Sequence, residues 1–310
     1  MSGRGKARAG AGSARAERAP ARRRDRRIGK AAVPYLLGLP SWVYLLLFFL
    51  VPLASMLALS AAVGDPIVGY SYGGHFAEFL DAIGQYHRQL LRSFYYGALA
   101  TLVTLAIAYP AAYWIAFHGG RHKSTYLFLI MLPFFVSFVI RTVAWQFILA
   151  DQGFLFGQLK SWGLISDRFY ILSTQWAVIG GLVYNGLAYY VLPLYVAIEK
   201  IDRRVVRAAG DLYADPASTF LRVILPLSAP GVFAGFLLVF VTDVGDFVNA
   251  QILGGPGTYM VGNVIQDSFF VNQDYPMAAA LSSILMFLLM VAIFLYARAF
   301  GRERIQEYAA

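Results

Sequence analysis

Apolar residues run along this chain in six long stretches separated by short polar segments. Asp, Glu, Lys and Arg are absent from 31–64, 93–120, 124–140, 169–198, 223–242 and 275–297, and the third stretch continues past a single Arg141 to Ala150. Each supplies the roughly 20 apolar residues that cross a hydrocarbon layer. The pattern predicts an all-α integral membrane protein with six spanning helices, near 34–63, 93–118, 124–150, 172–198, 229–252 and 275–298. Residues 34–300 then form the membrane domain and 301–310 a short tail. Prolines at 40, 52, 110, 133 and 193 fall inside these helices, and each is expected to kink its helix by removing a backbone hydrogen bond. Composition agrees with this reading: 59% of 310 residues are hydrophobic and 14% are charged, too apolar for a soluble domain of this size.

Charge then fixes the threading. The net charge of +9 invites a nucleic-acid reading, but eleven Lys and Arg against two acids lie within residues 1–33, so this tail carries the whole excess. The tail lacks hydrophobic periodicity and is expected to be disordered; its basic residues hold the N-terminus in the cytoplasm or contact anionic lipid. With that end inside, the segments 1–33, 119–124, 199–229 and 298–310 are cytoplasmic and hold 21 of the 26 basic residues, as the positive-inside rule requires. Both termini are then cytoplasmic. The outer loops 64–92, 150–173 and 252–276 are mildly acidic, with seven acids against four basic residues. Residues 34–63 exceed the apolar core of about 7–15 residues in a cleavable signal, so they count as a helix.

One cytoplasmic segment, 202–225, has helical patterning of its own. In IDRRVVRAAGDL, Asp202 is placed to cap, Val205, Val206, Ala209 and Leu212 form an apolar face, and Arg203, Arg204, Arg207 and Asp211 stay polar. ADP restarts a helix with Asp215 as cap and Pro216 in its first position, Phe220 and Leu221 meet apolar neighbours, and Pro226 is expected to stop it. The result is a hairpin. Ala208, Ala209 and Gly210 would let another protein's surface approach closely, although a hairpin packed on its own chain fits the residues equally well.

Within RAAGDLYADPASTFLRVILPL, the residues Ala208, Ala209, Leu212, Phe220, Leu225 and Pro226 stand in the register of the EAA loop of ATP-binding-cassette importer permeases, which the segment resembles. It departs at Arg207, where the family usually has Glu, and at Tyr213, where it usually has Gly. A glycine position often has positive φ, which disfavours a bulky residue by roughly 1–2 kcal/mol. SFVIRTVAW at 137–145, YYVLPLYVAIEKID at 189–202 and GDFVNAQILGGPGTYMVGNVIQDSF at 245–269 are similar to the spermidine/putrescine-type permeases, B-type subunit. The resemblance implies a type I importer permease fold in which this loop couples to a separate cytoplasmic ATPase. It also implies a second, similar permease, a solute-binding protein on the outer face and transport by alternating access of a polyamine or of another small solute.

Polar residues inside the spans are candidates for the translocation path. A central Arg141 costs about 2.5–3.5 kcal/mol unless it faces water or a partner. Along straight helices it lies roughly 25 Å from the cytoplasmic end, with Asp243 and Asp246 at roughly 20 and 24 Å. The two acids share a helical face. An ion pair of Arg141 with one of them is expected, lining the cavity or serving structure alone. Asn185 adds hydrogen-bonding capacity in the fourth helix, and Tyr184, Tyr189 and Tyr190 add ring faces for a cation or simply pack.

Other chemistries fare poorly. The sequence has no Gly-x4-Gly-Lys-Ser/Thr loop for ATP, no cysteine, and four histidines (75, 87, 118 and 122) that do not cluster at metal spacing. No cofactor or metal is expected. A stand-alone carrier or channel is the main rival, and a membrane enzyme using Asp243 and Asp246 as an acid pair the weaker one.

Overall fold

In the computed structural model, the structure describes residues 33–65, 67, 69–72 and 77–307. Of the basic segment 1–33, residues 1–32 lie outside that range, as does His75. The chain divides into two units after Pro52.

In the first unit, α1 (Val33–Leu45) runs into a π turn (Leu46–Leu50), and α2 (Val51–Leu59) follows. Pro52 has no N–H, and its ring would crowd the carbonyl four residues back. The widened turn meets that constraint, because Val51 N–H donates to Leu46 O, five residues back rather than four.

The second unit begins with the rest of α2 and a two-stranded antiparallel hairpin, β1 (Ala62–Asp65) and β2 (Gly69–Tyr72), with Ala62 opposite Tyr72. Helices α3 (Ala77–His118), α4 (Lys123–Met131), α5 (Phe138–Leu149), α6 (Phe154–Ser161) and α7 (Gln175–Glu199) follow. Then come α8 (Arg203–Asp211), α9 (Pro216–Thr219), α10 (Leu225–Val244), α11 (Val248–Leu253), α12 (Val261–Gln266) and α13 (Tyr275–Glu307). Among the described residues, five helices are long and apolar enough to cross a membrane, or six if the bent pair around Pro133 is one span.

Several expectations change: the fifth span breaks at Gly245–Phe247, the sixth helix runs on to Glu307, and three further differences have local causes. Helix α3 begins at Ala77, not 93, because absence of charge reads only the hydrocarbon-spanning part, whereas its first turns hold Glu78, Asp81, Arg88 and Arg92 and bury Ala82 and Leu90. The third span is not one kinked helix: 3-10 backbone at Leu132–Phe135 and extended Val136 and Ser137 break it, and its arms meet at 91°. Pro226 does not stop a helix. The residue before it, Leu225, donates to Phe220 O across a π turn (Phe220–Ile224), so α9, the π turn and α10 form one rod of 29 residues, Pro216–Val244. Pro52 and Pro226 are thus accommodated by the same device.

Helices α3, α7 and α10 pack on one another at the centre. One apolar cluster joins Ala108, Ala112, Tyr190, Leu194 and Val239; another joins Leu90, Phe240, Val244, Val261 and Leu281. The α7–α10 seam is made by missing side chains. A methyl group on Gly231 would lie 2.7 Å from Pro193 O, one on Gly235 would collide with the Tyr190 ring, and one on Gly186 would lie 2.8 Å from Val239 Cγ1. Positions rise on one helix as they fall on the other, so the helices run antiparallel. Gly231 and Gly235 form the small-xxx-small spacing that lets helices approach closely in lipid, where the hydrophobic effect does not drive them together.

Gly235→Val should therefore reduce membrane abundance sharply, an overpacking cost of about 1–3 kcal/mol. Gly180→Ala, on the same helix pair but with nothing within 4 Å of the added carbon, should accumulate normally. Immunoblotting of membrane fractions checks both.

Candidate functional site

Two places gather the residues singled out from the sequence. The first is the hairpin at the end of α7. Asp202 caps α8 by accepting from Arg204 N–H at 2.8 Å. The helix ends in a Schellman arrangement: Tyr213 N–H donates to Gly210 O at 3.0 Å and Ala214 N–H to Ala209 O at 3.1 Å. Tyr213 occupies the left-handed position of that motif with φ 61°, a conformation that favours glycine. Asp215 caps α9 through Ser218 N–H at 3.3 Å, and the hydrogen bonds from Ser218 hold its carboxyl below the usual carboxylate range.

The hairpin is fastened on one side only. Arg203 Nη2 donates to Ala116 O at 3.1 Å, and its guanidinium lies 5.7 Å from the centre of the Phe117 ring. Phe220 packs edge-on against Tyr109 and Tyr113 of α3, and Tyr109 Oη shares a 2.7 Å hydrogen bond with Ser228 Oγ. Thr219 is buried, and Phe220, Leu225 and Ala209 are half-buried. Arg207, Ala208, Gly210 and Pro226 are exposed, and Leu221, read as facing apolar neighbours, is exposed as well. At the tip Leu212 is 82% and Tyr213 98% exposed, two large side chains that the described residues leave uncovered. The structure thus puts the candidate residues into an anchoring group and a presented group.

The second place is the break between α10 and α11 at Gly245–Phe247. Asp246 caps α11: Asn249 N–H donates to its Oδ1 at 2.7 Å and Asn249 Nδ2 to its Oδ2 at 3.1 Å. Asn249 Oδ1 accepts from Asn185 Nδ2 at 3.3 Å and Thr142 Oγ1 at 3.5 Å. The Phe247 carbonyl, which takes Gln251 N–H at 2.9 Å, also accepts from Asn263 Nδ2 at 2.8 Å, while Asn263 Oδ1 accepts from Met260 N–H and caps α12. Gly181 makes room for the cluster, since a methyl group there would lie 2.6 Å from Asn249 Oδ1.

Arg141 does not form the expected pair with Asp243 or Asp246. The described ion pairs are Lys123–Glu199 and Lys160–Asp151. The depth match assumed a straight third helix, and the 91° break removes that assumption. Arg141 lies instead with its guanidinium 4.7 Å from the centre of the Phe134 ring, and Phe134 packs edge-on against Tyr189. Its Nε and Nη1 make no hydrogen bond. The structure does bring Asn185 and Asp246 together, through Asn249. Neither Asn249 nor Thr142 was singled out from the sequence. The signal for Asn249 was an Asp three residues before it, a capping spacing that is invisible while the segment is read as continuous helix.

With this geometry established, comparison with known proteins is informative. Residues 108–304 match the family model described as binding-protein-dependent transport system inner membrane component. The spermidine/putrescine transport system permease protein PotB of Haemophilus influenzae is 37% identical over 260 residues, 84% of this chain and 90% of that protein. PotB of Escherichia coli is 36% identical over 225 residues, 73% and 81% of the two chains. The fold is shared with a crystal structure of a bacterial ABC transporter that imports the acidic polysaccharide alginate, at TM-score 0.67 and 19% identity, covering 87% of this chain and 95% of that one. The same transporter bound to its periplasmic protein gives 0.71 at 18% identity, covering 87% and 94%. This chain belongs to the binding-protein-dependent transport system inner membrane components, and is a multi-pass ABC importer permease of the inner membrane.

Proposed function

We propose that this chain is one of two permeases in an ATP-driven importer of polyamines, with ATP hydrolysis in separate subunits docked on the 202–225 hairpin. The observation that carries the docking role is the shape of that hairpin. Its Arg203 and Phe220 contacts fix it to α3, while Leu212 and Tyr213 stand nearly fully exposed at the tip. Exposed apolar side chains on a rigid, polar-flanked tip mark a surface for another protein. The polyamine class rests on the identity with the PotB permeases over most of both chains.

Orientation follows from charge: the basic N-terminal segment and the 199–229 segment face the cytoplasm, which places both termini there and puts the hairpin where an ATPase works. A solute-binding protein delivers polyamine at the opposite, mildly acidic face. Closure of the ATPase dimer pushes the tip, and because α9 continues through a π turn into α10, the push enters the bundle as movement of a rod. The two permeases then expose the solute path alternately to either side. A carrier working without an ATPase has no use for such a tip.

The function is tested by reconstituting the chain with its partner permease, ATPase and binding protein in proteoliposomes and following radiolabelled spermidine and putrescine. ATP-dependent uptake of either is expected; uptake of neither would overturn the polyamine reading. Ala209→Trp, a bulky change on the half-buried side of α8, should abolish solute-stimulated ATP hydrolysis at normal permease abundance, and undiminished stimulation would overturn the docking role.

Tyr213→Gly should be tolerated. It relieves a left-handed residue of roughly 1–2 kcal/mol, so the thermal midpoint of the purified complex should hold or rise while stimulation persists. Loss of stimulation with an intact complex would instead identify the Tyr213 ring as a contact with the ATPase.

A further inference from the structure

The break between α10 and α11 holds more acceptor oxygens than donors. Both oxygens of Asp246 already accept from Asn249. Because Asn249 turns Nδ2 toward Asp246, its Oδ1 faces the other way, and Asn185 must meet that oxygen with Nδ2. This fixes the second amide too, and leaves Asn185 Oδ1 without a donor. Asp243 Oδ2 has no donor either. The two residues are 6% and 4% exposed, so water does not satisfy these oxygens from bulk.

The seam between α7 and α10 places the two side chains near one level. Gly186 meets Val239, and the helices are antiparallel. Asp243 lies four residues beyond Val239 and Asn185 one residue beyond Gly186 in the same direction, an offset of about 4–5 Å along the axis. We propose that Asp243 Oδ2 and Asn185 Oδ1 form an intramembrane subsite for a protonated primary amine, with Asp246 positioning Asn249 and Asn185 rather than touching the solute. This rests on the polyamine reading above and names where the solute's ammonium group is held.

Chemistry selects the ligand class. A buried carboxylate is costly without a counter-charge, and among the described residues none forms an ion pair with Asp243; the Arg141 guanidinium lies over the Phe134 ring. An ammonium group brings the missing charge and three N–H donors to two waiting acceptors. A neutral solute supplies donors but leaves the charge. A divalent metal needs more ligands, and among the described residues no group of three or more His, Cys, Asp or Glu is placed to hold one. Both oxygens are sealed in this conformation, as an occluded step of alternating access requires. The non-helical Gly245–Phe247 lets α11, with α5 against it, part from α7 to open the subsite.

The test uses the complete reconstituted transporter and radiolabelled putrescine. Uptake by the unaltered protein is read first; its absence overturns the polyamine reading and this subsite with it. Given uptake, Asp243→Asn should raise KM about tenfold or more, the loss of a charged hydrogen bond, and Asp243→Glu should recover most of it. Asp246→Asn keeps one acceptor but turns an amide NH2 toward Asn249 Nδ2, so it should raise KM by less than Asp243→Asn does, because the charge at Asp243 remains. An unchanged KM in Asp243→Asn, or an equal rise in Asp246→Asn, overturns the subsite while leaving the transport function standing. Should Asp243→Asn not accumulate, the unaltered transporter decides: dicyclohexylcarbodiimide, which modifies carboxyl groups in apolar surroundings, should label Asp243 and be blocked by putrescine. Labelling that putrescine does not reduce overturns the proposal.

Discussion

A backbone crossing hydrocarbon has no water to bond with, so every N–H and C=O must find its partner inside the protein. Three departures from regular helix among the described residues are shaped by that constraint. Before Pro52 and Pro226 the helix widens into a π turn, so that the preceding residue donates five positions back and the rod continues. At Gly245–Phe247 the rod truly breaks: the Asn249 N–H donates to the Asp246 carboxylate, and Asn263 adds a side-chain hydrogen bond to Phe247 O. The polar residues of the interior gather at this break because the backbone there needs them. A solute path through the same region inherits a ready-made set of hydrogen-bonding groups.

The same constraint links the hairpin to the interior. Had Pro226 ended a helix, the hairpin would hang on a flexible joint, and a push at its tip would dissipate there. The π turn makes Pro216–Val244 continuous. One end of this rod carries the hairpin, the other carries Asp243, and its middle is locked to α7 through Gly231 and Gly235. The tip is therefore joined by continuous helix to the break that holds the polar cluster.

Much of this was legible in the sequence. The spans followed from charge-free stretches, and Asp202 and Asp215 were recognisable as caps because their short carboxylates precede helical patterning. The anomaly at Tyr213 was visible against the family pattern, and its positive φ supplies the physical reason glycine is usual there. What escaped the sequence was whatever depended on three-dimensional context. Two prolines of similar setting behave oppositely: Pro226 is absorbed, while Pro133 lies in a break of 91°. Local pattern gives no means of telling them apart. Pairing Arg141 with an aspartate followed from charge and depth on straight helices; the break sends the guanidinium to Phe134 instead. Asn249 and the glycine seam were overlooked because their roles exist only between elements.

The central claim is that the hairpin tip is the contact through which an ATPase drives the bundle. The chain contains no cysteine, so one introduced at position 213 is unique in this subunit. Cross-linking from that cysteine in the assembled transporter, with the partner identified by mass spectrometry, tests the claim most directly. The account predicts a cross-link to the ATPase subunit, and predicts that the linked complex no longer transports. A tip that cross-links only to permease or to nothing, in a transporter that still hydrolyses ATP and takes up solute, would contradict it.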